Sequence, residues 1–125
     1  MTRASQIQIL PDTNFILTLL KQRRDLDDEI KSAISGRVKV VMLDLVLLEL
    51  ERLARRGSAG IRTWANTSLA FIRQRGYPIT DHLHGPSDVD SSLIGFALWD
   101  RTPTAIATID RDLRTALRTL GIPTI

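Results

Sequence analysis

The sequence predicts an α/β protein, a three-layer α/β/α arrangement around a central, mostly parallel five-stranded sheet. Three observations carry that prediction. Short apolar runs alternate along the whole chain with longer amphipathic stretches, the pattern of strands connected by helices. Glycines at 36, 57, 76 and 121 each follow a helical stretch, where a C-terminal stop belongs. Apolar residues make up 43% of the chain but aromatics only 5%, so the core must be built of Leu, Ile, Val and Ala.

Taken in order, Ile7 to Leu10 alternates and stops at Pro11, which reads as a first strand. Asn14 to Arg23 and Asp25 to Ser35 read as helices, the second ended by Gly36. Val38 to Leu43 is β-branched and apolar, a buried strand. Asp44 stands where an N-cap would be, ahead of a helix from Leu45 to Arg56. Ser58 to Arg75 is a further helix, Tyr77 to Thr80 a short strand, and Asp81 to Ser87 a loop. Val89 to Asp100 is helical, with Leu93, Ile94, Ala97 and Leu98 as its apolar stripe. Thr104 to Ile109 is a strand, Asp110 or Arg111 to Leu120 a helix, and Ile122 to Ile125 the last strand.

A chain of 125 residues suits one domain, residues 1–125. It has no cysteine, which excludes disulfides and thiolate metal sites. No apolar run is long enough to span a bilayer, and the polar stretch Met1 to Gln8 does not resemble a signal peptide. The expectation is a soluble, cytoplasmic protein with no membrane partner.

The net charge is +3, and 14 of the 17 basic residues are Arg. Arginine suits phosphate recognition because its planar fork can bind two oxygens at once. A GC-rich genome produces the same bias, so the bias alone assigns no partner. Setting four acids aside for a site leaves 17 basic residues against 10 acidic ones. A basic surface around an acidic pit attracts a phosphate backbone while the pit holds a cation.

Four acids fall where such a pit would form. Asp12 directly follows the first strand and Asp110 directly follows the Thr104 to Ile109 strand. Ligands of open α/β sheets bind outside the carboxyl ends of the strands, at a topological switch point. Asp90 lies in the first turn of a helix on the same edge. Glu49 sits among apolar neighbours in Val46-Leu47-Leu48-Glu49-Leu50, where an unpartnered charge is costly. Each acid alone has a plainer role. Asp12, Asp90 and Asp110 suit helix starts, and Glu49 can pair with Arg52 or Arg56. Gathered at one edge they would repel one another, and a hard divalent cation such as Mg²⁺ or Mn²⁺, which prefers oxygen ligands, relieves that repulsion.

At these residues the sequence resembles the PIN-domain nucleases over nearly its whole length. Pro11-Asp12-Thr13-Asn14-Phe15-Ile16-Leu17 is similar to that family's opening block, and Val46-Leu47-Leu48-Glu49-Leu50-Glu51-Arg52-Leu53 to its second. Asp90-Ser91-Ser92-Leu93-Ile94-Gly95-Phe96-Ala97-Leu98 is similar to the third, and Ala107-Thr108-Ile109-Asp110-Arg111-Asp112-Leu113 to the fourth. Leu120 to Ile125 is similar to the closing helix stop and strand. The resemblance implies a metal-dependent endoribonuclease in which Asp12, Glu49, Asp90 and Asp110 hold one or two Mg²⁺ or Mn²⁺ ions, with Asp112 as an additional ligand. It implies that Thr13, Asn14 and Thr108 orient those carboxylates by hydrogen bonds.

Within the resemblance, Asp90 is preferred over Asp88 because of its spacing to Ala97, and Glu49 over Glu51 because of its apolar neighbours. Glu51 is expected to pair with Arg55 on the exposed face. Many relatives carry a second acid where this chain has Ser91, which limits the ligands beyond the core four. The family includes toxins of VapC-type toxin–antitoxin pairs and rRNA-processing proteins, and this chain is more similar to the archaeal members of those groups. RNA, an antitoxin or a ribosome-assembly partner, and a second copy of the chain are the partners so implied. A PIN-type module that only binds RNA as a scaffold is the non-enzymatic alternative; it would be marked by loss of site carboxylates.

Other groups fit less well. A haloacid-dehalogenase-type phosphatase needs a second Asp where this chain has Asn14, and a receiver domain needs a late Lys, whereas none follows Lys39. His82 and His84 read as solvated loop residues outside the site. Arg55, Arg56, Arg62 and Arg111 read as solvated helix faces, and Trp64 and Trp99 as core or dimer packing.

Overall fold

The computed structural model of the chain describes residues 6–82 and 88–125. In order these form β1 (Ile7–Pro11), α1 (Thr13–Lys21), α2 (Leu26–Ala33), β2 (Val38–Val40), β3 (Met42–Leu43) and α3 (Asp44–Arg56). They continue with α4 (Ala59–Arg75), β4 (Ile79–Thr80), α5 (Val89–Trp99), β5 (Thr104–Ala107) and α6 (Arg111–Thr119). Every paired strand is parallel to its neighbour.

The run from 38 to 43 does not form one ladder. Its first half pairs with β1, Val41 donates to the Ile9 carbonyl at 2.9 Å, and its second half turns to pair with β4. The regular ladders are therefore β2-β1-β5 and β3-β4. The last expected strand, Ile122 to Ile125, is reduced to a single bridge from Thr124 to Ile106. β5 stops at Ala107, two residues short of expectation. Beyond Pro11 its partner β1 turns into α1, so Thr108 and Ile109 have no strand beside them.

Because β2 and β5 flank β1 on opposite sides, the chain first moves one way across the sheet and later crosses back. Parallel crossovers are right-handed, so this reversal puts α1 to α4 on one face and α5 and α6 on the other. Packing of α3 and α1 against α4 agrees with that layering. Ile9, Leu10, Ala105 and Ile106 lie at the centre, essentially inaccessible, as expected of strands covered on both faces.

Helix ends follow local chemistry. Asp12, Asp25, Asp88 and Asp110 each cap a helix by accepting backbone N–H bonds. Asp44 is not a cap but the first residue of α3; its carboxylate accepts from Leu45 N at 2.7 Å and from His82 N at 3.1 Å. α1 ends at Lys21 rather than Arg23, because Arg23 is left-handed at φ 57°. Gly76 closes α4 at φ 65°, with its N–H on the Ile72 carbonyl at 3.1 Å. Gly76→Ala is expected to cost about 1 kcal/mol, read as a lower urea midpoint at unchanged slope.

After Asp90, Ser91 and Ser92 the rest of α5 is apolar on every side, so its sequence marks the buried face only weakly. Leu93 is fully buried, Ile94 and Ala97 are half-buried, and Leu98 is exposed, so the expected stripe buries only in part. Trp64 packs against the core, whereas Trp99 is 86% exposed and is not core. Among the described residues, no helix is long and apolar enough to cross a membrane.

Candidate active site

Adjacent parallel strands that end together project their next residues from one edge of a sheet. β1 pairs with β5 up to Pro11 opposite Ala107, and Asp12 N donates to the Ala107 carbonyl at 2.9 Å. Asp12 and Asp110 thus leave neighbouring strands at the switch between the two directions of winding. α5 brings Asp90 to the same edge, and α3 brings Glu49. A pocket of about 300 Å³ lies there, lined by Asp12, Thr13, Asn14, Glu49, Asp88, Val89, Asp90 and Asp110.

Asp12 is buried and held firmly. One carboxylate oxygen caps α1, accepting from Phe15 N at 2.8 Å, and the other accepts the Thr108 hydroxyl. Burial pushes its carboxyl above the usual carboxylate range. The Thr108 and Phe15 hydrogen bonds oppose that shift, and the charges of Asp110 and Glu49 add to it. Asp110 caps α6 by accepting from Leu113 N at 2.9 Å, and its own N–H donates to the Thr108 hydroxyl at 3.1 Å. Asp90 stands at the exposed mouth. Its carboxyl is also pushed up, first by loss of solvent and then by Asp110, Asp12, Asp88 and Glu49. Two groups of the pocket thus resist ionisation partly because of the others' charge.

Glu49 is less buried than its apolar neighbours suggest. Its side chain is 34% exposed, and the nearest cation, Arg52, is 3.9 Å away. The cost of burying an unpartnered charge therefore does not apply to it; its membership of the pocket lining is what singles it out. Asp88 also lines the pocket, but its carboxylate caps α5 through Ser91 N at 2.9 Å, which holds its carboxyl below the usual range. Asp112 is exposed and is not among the lining residues. Glu51 is exposed and makes no ion pair with Arg55 among the described residues.

Of the three groups expected to orient carboxylates, Thr108 does so. Thr13 and Asn14 make no such bond among the described residues. Thr13 is buried with its hydroxyl unpartnered there, and Asn14 is exposed at the pocket wall. His82 is half-buried and bound, its ring Nδ1 2.9 Å from the Asp44 carboxylate, so it is not a freely solvated residue. His84 lies outside the described residues. Arg114 is a contact that sequence reasoning missed: its guanidinium donates to the Thr108 and Ile125 carbonyls. Its place one turn after Asp110 was the available signal.

Among the described residues, no three acidic or histidine side chains converge closely enough to form a ready-made ligand cage; the carboxylates line the pocket instead. The ligating groups of the lining are nonetheless oxygens, chiefly those of the carboxylates. That chemistry fits a hard divalent cation and no soft one.

No family model matches the chain. It is 27% identical over 116 residues to Ribonuclease VapC4 of Methanocaldococcus jannaschii, a match covering 93% of this chain and 86% of that protein. Its fold superimposes on the structure of the PIN domain endonuclease Utp24 with a TM-score of 0.76 at 23% identity, covering 94% of this chain and 82% of that one. With its parallel sheet, its winding switch beside Asp12 and this structural likeness, the chain has the PIN-domain fold.

Proposed function

We propose that the protein is a metal-dependent endoribonuclease that hydrolyses phosphodiester bonds in RNA. The observation that carries this is the lining of one pocket by Asp12, Glu49, Asp90 and Asp110, two of them held back from ionising partly by the others' charge. RNA as the substrate rests on the likeness to a ribonuclease. Among the described lining residues there is no Ser, Cys, Lys or His; the carboxylates are read as metal ligands and water as the attacking group.

Asp12 and Asp110 would hold one or two Mg²⁺ or Mn²⁺ ions, with Glu49 and Asp90 completing the set from partly exposed positions. Bound there, the metal would supply Lewis acidity for activating water and for neutralising charge at the scissile phosphate. The chain's own contribution is placement. Thr108 and Phe15 N fix both oxygens of Asp12, which prevents its carboxylate from swinging out of register. Asn14, exposed at the wall, offers an amide donor to a phosphate oxygen. Arg52, 59% exposed beside Glu49, presents a guanidinium at the rim that can meet the backbone of an arriving strand. A toxin-like or rRNA-processing role, with an antitoxin or a ribosome-assembly factor as partner and a homodimer as the working form, is carried over from the sequence resemblance alone.

The test is incubation with single-stranded RNA in Mn²⁺, with and without excess EDTA. Fragments that EDTA suppresses support the reading. Cleavage indifferent to EDTA contradicts metal dependence, and RNA that is bound but left intact favours a scaffold module.

A further inference from the structure

Thr108 is the junction between the two most firmly held carboxylates. A hydroxyl has one proton and two lone pairs. Here the proton goes to Asp12 and a lone pair receives Asp110 N, so the rotor is fixed from both sides. Thr108 is fully buried, yet it lies beyond the end of β5, where no neighbouring strand takes its carbonyl. Ile125 closes the single bridge to β5 with its N–H on the Ile106 carbonyl at 3.0 Å, and its own backbone oxygen points past that bridge. One side chain serves both places. Nη1 of Arg114 donates to the Thr108 carbonyl at 2.9 Å and to the Ile125 carbonyl at 2.6 Å. Arg114 is itself anchored one turn after Asp110, its N–H on the Asp110 carbonyl at 2.9 Å.

We propose that Arg114 is a positioning residue of the pocket. By holding the Thr108 carbonyl it fixes the backbone from which the Thr108 hydroxyl reaches Asp12 and receives Asp110 N. Through the Ile125 carbonyl it makes the seating of segment 123–125 part of the same support. The role assigned to the pocket rests on the metal-dependent reading above; the hydrogen-bond chain itself does not.

The full chain is compared with Arg114→Met, which keeps the apolar stem and removes the donors, Arg114→Lys, which restores a cationic donor, Thr108→Val, and the Arg114→Met/Thr108→Val double variant. Two quantities are read beside the melting temperature: native-state hydrogen exchange of the Asp110 amide, and Mn²⁺ affinity by titration calorimetry. Arg114→Met is expected to speed Asp110 exchange about 10-fold while the Ile9 amide in β1 keeps its rate. It is expected to weaken Mn²⁺ binding roughly 5- to 10-fold, in the lower part of the range for supporting groups. Arg114→Lys should recover most of both losses. In the Thr108→Val background, Arg114→Met should change Mn²⁺ affinity less than about 2-fold, because residues acting in series are not additive.

An Asp110 amide that exchanges at the wild-type rate in Arg114→Met, or fully additive losses in the double variant, overturns the proposal. Should Arg114→Met not fold, Arg114→Gln carries the same criterion. If the wild-type chain binds no Mn²⁺, the metal reading falls, and the Asp110 exchange rate alone decides whether Arg114 positions the junction.

Discussion

Asp12→Asn is expected to lower RNA cleavage by about 100-fold or more and, in metal-free buffer, to make the protein more stable than the wild type. The first effect exceeds the 10- to 100-fold typical of losing a mere supporting group, because Asp12 would be a ligand itself. The second follows from linkage. The folded-state carboxyl of Asp12 is raised above its ordinary value, so the folded chain binds that proton more tightly than the unfolded chain. The associated stability is fully present below the unfolded value near 3.8 and is lost as pH rises through the folded one. At neutral pH the ionised group is a liability that Asn removes. Asn keeps an oxygen for Phe15 N, and its amide can donate to the Thr108 hydroxyl, so the cap of α1 survives. A gain of roughly 0.5–2 kcal/mol is expected, as for other substitutions that relieve a functional strain. Mn²⁺ should reverse the ranking, because a ligand bound only by the folded wild type at about 100 times its Kd adds roughly 2.7 kcal/mol. Melting curves of both proteins, with and without Mn²⁺, check this. A variant that melts below the wild type in EDTA would contradict the electrostatic account.

Leu93→Ala is expected to give a large loss of stability. Within α5, Leu93 and Ser92 are the buried residues, and Leu93 is fully so. Leu93, one turn away from Asp90, is thus the fully buried anchor of the helix, while Val89, Ile94, Phe96 and Ala97 pack against the core from partly buried positions. Truncating a buried Leu costs about 2–5 kcal/mol, the lost transfer energy plus the cavity left behind. For a chain of this size that is a fall of roughly 10 °C or more. Because α5 also carries Asp90 and Asp88 into the pocket, Mn²⁺ affinity should fall even at temperatures where the variant remains folded. Leu98→Ala, on the exposed side of the same helix, should stay within about 0.5 kcal/mol of the wild type. Similar melting temperatures for the two variants would refute this account of how α5 is anchored.

Much of the layout could be read from the chain because local chemistry and global fold agree at the pocket. Asp12 and Asp110 each end a buried apolar run and begin a helix, and both signals are short-range. Asp90 was legible from its place in the first turn of an apolar helix. What stayed hidden depends on distant contacts. The division of residues 38–43 arises because that run serves β1 along one half and β4 along the other, a choice set by the whole sheet. The early end of β5 follows from β1 turning into α1. Glu49 sits in an apolar stretch, yet helix geometry turns its side chain partly outward, and sequence neighbours do not report that. Thr13 and Asn14 resemble supporting groups by position only, whereas Thr108 reaches Asp12 across 96 residues of chain. Trp99 reads as packing in any composition-based argument, but α5 turns it to the surface.

The most direct test of the account is cleavage of one single-stranded RNA by wild-type protein and Asp12→Asn, side by side in Mn²⁺ at matched folded concentration. The account predicts fragments from the wild type and a rate lower by about 100-fold or more in the variant, although the variant is the more stable protein without metal. Equal cleavage by the two would contradict the assignment of this pocket as the place where the chemistry occurs.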